Sequence, residues 1–75
     1  MVVDGHDVSD VRIEQQFKGN YLLQATIGGK ELRYIIRKKT PEHDLLAKTG
    51  LANVKEQMKR EFISRFLLPK TGYNM

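Results

Sequence analysis

Three runs of two-residue alternation, at 11–17, 21–27 and 31–37, constrain this chain more than any other feature. Successive side chains of a β-strand point to opposite faces, so a period of two builds a sheet with one apolar and one polar face. The apolar positions are Val11, Ile13, Phe17, Tyr21, Leu23, Ala25, Ile27, Leu32, Tyr34 and Ile36. Lys18-Gly19-Asn20 and Gly28-Gly29-Lys30 stand between the runs, where hairpin turns need residues that accept positive φ. A three-stranded antiparallel meander is expected.

Two helical patterns follow. Thr40-Pro41-Glu42 reads as an N-cap, a proline at the first helical position and an acid in the first turn, which predicts a short helix at 41–48 stopped by Gly50. Leu51, Val54, Met58, Phe62 and Phe66 then make one apolar stripe along a longer amphipathic helix at 51–68, ended by Pro69. Glu56 with Arg60 and Glu61 with Arg65 are i,i+4 pairs of favourable orientation. Ile63 and Leu67 project about 100° from the Met58–Phe62 line. They are expected either to pack on Leu45 and Leu46 of the short helix or to form a protein interface, including a homodimer with a second copy of this chain. The fold class is α+β, with the long helix on one sheet face.

Seventy-five residues make one small domain, because a chain of this length buries only about 60% of its unfolded surface. The domain is expected over 11–68, after a flexible acidic arm at 1–10 and before a tail at 69–75. There are no cysteines, so neither disulfides nor a thiolate metal site is available, and a reducing intracellular, cytoplasmic setting is expected. The first residues are acidic and polar, where a secretory signal needs a basic flank and an apolar run. No stretch approaches the roughly 20 apolar residues of a membrane-spanning helix.

The net charge of +4 is unevenly spread. Positions 1–17 set Asp4, Asp7, Asp10 and Glu14 against Arg12, while positions 18–40 set Lys18, Lys30, Arg33, Arg37, Lys38 and Lys39 against Glu31. The strand region is therefore the basic one, and it favours an anionic partner such as nucleic acid.

Motifs for chemistry are weak. Ser9, Ser64, His6 and His43 show no spacing that assembles a nucleophile with an oriented base, so no enzymatic activity and no cofactor are expected. His43 lacks a paired metal ligand one turn later, and Asp4-Gly5-His6-Asp7 reads as part of the loose arm. Gly28-Gly29-Lys30 joins two strands, whereas a phosphate loop leads into a helix. Leu68-Pro69-Lys70-Thr71-Gly72 carries the letters of the LPxTG cell-wall sorting signal without the apolar stretch and basic tail that follow a working one.

The polar sheet face is the strongest candidate. It collects Arg12, Glu14, Gln16, Gln24, Thr26, Arg33, Ile35 and Arg37, with Leu22 toward one end. A β-ribbon can enter the DNA major groove, where Arg reads guanine and Gln reads adenine, while Lys18, Lys30, Lys38 and Lys39 hold phosphates. Gly19-Asn20-Tyr21 entering a strand, Gly28-Gly29-Lys30 in the next turn and a following amphipathic helix resemble the small DNA-binding domains of phage and transposon integrases and of the plant AP2 group. The resemblance spans about 11–66, with an added helix at 41–48. It implies that the meander reads DNA while the helix packs behind it. The competing reading is a protein-interaction factor, such as a small phage-encoded or bacterial inhibitor or adaptor. It would act through Ile63 and Leu67 or the free edge of the 11–17 strand. A structural component of a larger particle is a third.

Overall fold

The computed structural model describes residues 1–68. The expected tail, the stop at Pro69 and all but the first residue of the sorting-signal match lie outside the described residues. The sheet has four antiparallel strands in the order β1 (Val2–Val3), β2 (His6–Gln15), β3 (Tyr21–Ile27) and β4 (Lys30–Ile36). That is one strand more than the alternation predicted.

The extra strand comes from the segment expected as an arm. Asp4 and Gly5 take φ of 49° and 82°, a left-handed two-residue connection that pairs Val3 with His6. Asp-Gly suits such a turn because both central residues need positive φ. Val3 and Val8 are buried in the core, so residues 1–10 are part of the sheet. Their periodicity was hidden by a β-bulge. Ser9 pairs with Thr26 and Arg12 with Gln24, leaving Asp10 and Val11 together opposite Ala25. Asp10 absorbs the added residue at φ 52°. Val8 faces inward before the bulge, and Val11 and Ile13 pack against the core after it, so the inward phase moves from even to odd numbers.

The strand expected at 11–17 ends at Gln15. Phe17, assigned above to the buried face, is instead 88% exposed on a tight turn at Phe17–Gly19. Lys18 at φ 74° breaks the extended backbone there and with it the alternation. Between β3 and β4 the two-residue Gly28-Gly29 turn forms as expected.

Thr40 caps α1 (Pro41–Thr49), its hydroxyl oxygen accepting from the His43 N–H at 3.2 Å. The Gly50 N–H donates back to the Leu46 carbonyl at 2.9 Å. The continuous helix expected at 51–68 is interrupted. Leu51–Asn53 closes one 3₁₀ turn, Val54 and Lys55 are extended, and α2 runs Glu56–Phe62 before continuing as a π-helical segment, Ile63–Leu67. The Asn53 amide donates to the Thr49 carbonyl at 3.0 Å, satisfying the end of α1 instead of extending a helix. Leu51 and Val54 still pack against the core, so the apolar period runs through the break unchanged.

Both helices cover one sheet face. Leu23, Ala25, Ile27 and Ile36 meet Leu46, Phe62, Ile63 and Leu67, and Tyr34 stacks on Phe66 with ring centroids 4.4 Å apart. Ile63 and Leu67, expected either to pack on the short helix or to form a protein interface, are 0% exposed and lie in the core with Leu46, so the interface alternative falls. The widened segment turns two neighbouring pairs, Phe62-Ile63 and Phe66-Leu67, toward the sheet, so the stripe is broader than one residue per turn. Each fully buried aliphatic contributes about 1.5–3 kcal/mol. Leu46 shares the core, while Leu45 stays 43% exposed. Arg60 forms its expected pair with Glu56 at 3.5 Å, but Arg65 reaches across to Glu42 of α1 at 2.7 Å. The β1–β2 hairpin is held to α2 and its π-helical continuation: the Ser64 hydroxyl donates to Asp4 at 2.5 Å and Arg60 donates to the Val2 carbonyl at 2.9 Å. No helix among the described residues is long and apolar enough to cross a membrane.

Candidate nucleic-acid interface

The second sheet face is covered by no element among the described residues. Strand register sets its side chains in rows, since directly opposed residues in antiparallel strands share a face. Arg12 stands opposite Gln24, and Gln24 opposite Arg33, giving one Arg–Gln–Arg row across three strands. The next row toward the β2–β3 turn is Glu14, Leu22 and Ile35, and the row on the other side is Ser9, Thr26 and Glu31.

Glu31 is the feature that alternation alone did not weigh. Its carboxylate accepts from the Gln24 amide and lies 3.8 Å from the Arg33 guanidinium. Both members of this ion pair are more than half exposed, so it is worth about 0–1 kcal/mol and a phosphate can compete for the arginine. Arg12 and Arg37 are exposed and form no ion pair among the described residues.

The remaining predicted residues divide by position. Arg37, Lys38 and Lys39 leave the end of β4, and Lys18 sits in the turn at the same end of the sheet. Lys38 bridges the two segments. Its backbone N–H donates to the Asn20 side-chain oxygen at 3.1 Å, and its side chain lies 3.3–3.5 Å from where a Cβ on Gly19 would stand. Gln16 is half-buried at the start of the turn, where its N–H donates to the Asn20 carbonyl at 2.7 Å, and is not in the Arg–Gln–Arg row. Lys30 lies apart from this cluster, at the opposite end beside the Gly28-Gly29 turn. Arg33, Tyr34, Ile35, Arg37 and Thr40 line a shallow cleft of about 350 Å³ along β4.

His43 serves this end structurally. Its Nε2 lies 2.7 Å from the Gly19 carbonyl, which can only accept, so Nε2 carries the proton. The ring also packs at 4.8 Å on Tyr21, joining the first turn of α1 to the β2–β3 turn.

Residue type and parity alone were enough to place Arg12, Gln24 and Arg33 on this face, while Arg37 follows the end of β4. The convergence of Lys18 with Lys38 and Lys39 depends on three strand ends meeting, which no local pattern encodes. Comparison with protein-family models, with curated proteins and with solved structures returns no match, so the face is interpreted from its own geometry and chemistry.

Proposed function

We propose that this chain is a non-enzymatic nucleic-acid-binding module that uses the uncovered sheet face. The observation that carries the reading is the Arg12–Gln24–Arg33 row, aligned across three strands on the face opposite both helices. Arginine donates two parallel bonds to guanine edges or to phosphate, glutamine pairs similarly with adenine, and lysines at the rim supply the salt-dependent attraction. The meander expected from the sequence resembles that of the integrase and AP2 domains, in which the sheet reads DNA, while the fourth strand and the added helix α1 depart from that order.

The test is a gel-shift or anisotropy titration of Arg33→Ala combined with Arg37→Ala. Binding should weaken at least tenfold and the salt slope should fall by about 2, one per lost phosphate contact. The melting temperature should not change, because both side chains are exposed. Retained affinity in the double variant removes the reading.

A second reading is favoured by the open sheet edges. β1 pairs with β2 only at His6 and Asp7, with Met1 bonding Val8 just beyond, and β4 has no neighbour on its outer side among the described residues. Such edges accept a strand from a protein partner or a second copy. Sedimentation velocity across a wide concentration range tests self-pairing, and a monomer throughout argues against it.

A further inference from the structure

Phe17 takes no part in the hydrophobic core among the described residues. It is 88% exposed, more than Val2, Leu45 or Met1, the other large apolar residues that are mostly open to solvent among the described residues. Its turn is nonetheless firmly held. The Gln16 N–H donates to the Asn20 carbonyl at 2.7 Å, and the Gly19 N–H donates to the Gln16 carbonyl at 3.0 Å. His43 binds the Gly19 carbonyl, and Asn20 accepts from the Lys38 backbone. Lys18 keeps a left-handed φ of 74° that glycine would adopt with less strain. A fixed turn thus presents an aromatic ring to water, with Lys18 beside it and Arg37, Lys38 and Lys39 at the same end of the sheet.

We propose that Phe17 is a stacking platform for an unpaired base and that the preferred ligand of this end is single-stranded nucleic acid. The inference rests on the nucleic-acid reading above and names its substrate class. An exposed aromatic ring flanked by cations matches the two needs of single-strand binding: a π-face for the base and positive charge along the backbone. In a duplex the base faces are already stacked on one another, so a surface phenylalanine gains nothing there. Leu22 and Ile35, beside Glu14 in the outer-face row on the turn side of the Arg–Gln–Arg row, put apolar side chains on the same half of the sheet.

The experiment is fluorescence anisotropy with a labelled oligothymidylate and with a duplex of equal length, at low salt. Phe17→Ala should weaken oligothymidylate binding about tenfold. Duplex binding and the melting temperature should stay unchanged, since the side chain is outside the core. Phe17→Trp should restore the affinity. Because the chain has no other tryptophan, its emission should fall as a base stacks on it. If Phe17→Ala binds the oligothymidylate like the unaltered chain, or loses both ligands equally, the platform is overturned. If Arg33→Ala with Arg37→Ala still weakens binding in that case, the nucleic-acid reading survives, and Phe17 is better explained as an anchor for a protein partner. If the unaltered chain binds neither ligand, both readings fall together.

Discussion

Lys18 holds a left-handed backbone that costs an ordinary L-residue about 1–2 kcal/mol, at the turn where the basic end of the sheet is assembled. Lys18→Gly should relieve roughly 1 kcal/mol of this, raising the melting temperature by about 4–8 °C in a domain of this size. Lys18→Ala should bring no such gain. Both variants should reduce the salt slope of nucleic-acid binding by about 1, so the glycine variant would be more stable and a weaker binder. Ile63 gives the opposite case. Fully buried in the centre of the core, it should cost about 2–5 kcal/mol as Ile63→Ala in urea denaturation, a large part of the roughly 4–11 kcal/mol that a 75-residue domain holds at about 0.05–0.15 kcal/mol per residue. A loss under 1 kcal/mol would contradict the packing described here. The sequence left Ile63 and Leu67 open between core and interface because a helix wheel gives directions but not the width of the surface that the sheet offers.

Among the elements, β3, β4 and α1 were legible because each carries its own local chemistry: alternation between glycine turns, and a threonine–proline start with a glycine stop. The β1–β2 hairpin was missed although Asp4-Gly5 is a strong turn signal. The bulge at Asp10 reverses the alternation immediately before the run that was recognised. The break at Val54-Lys55 was missed for the converse reason, since Leu51 and Val54 keep the stripe's period on either side of a non-helical segment. Gly5→Ala discriminates the hairpin from a loose arm. At φ 82° a Cβ is strained, so the substitution should cost about 1 kcal/mol in chemical denaturation, whereas in an unpaired arm it would cost nothing measurable.

Across the whole molecule, the two helices take one sheet face and leave the other bare, and the ends of the sheet differ in charge. The Gly28 N–H bonds the Asp7 carbonyl, so Asp4 and Asp7 lie toward the end opposite Lys18, Arg37, Lys38 and Lys39. A seven-residue strand separates the ends by roughly 20 Å, about two screening lengths at physiological salt, so the acids do little to neutralise the basic end. The candidate face was legible as a composition, whereas this lengthwise polarity needed the fold that joins residues 18 and 38. Its consequence is kinetic. A molecule whose positive charge gathers at one end, with Asp4 and Asp7 offsetting Lys30 at the other, feels a torque near a polyanion and is turned basic end first before contact, which shortens the search over orientations. Added salt should therefore slow association in stopped-flow measurements by a larger factor than it speeds dissociation.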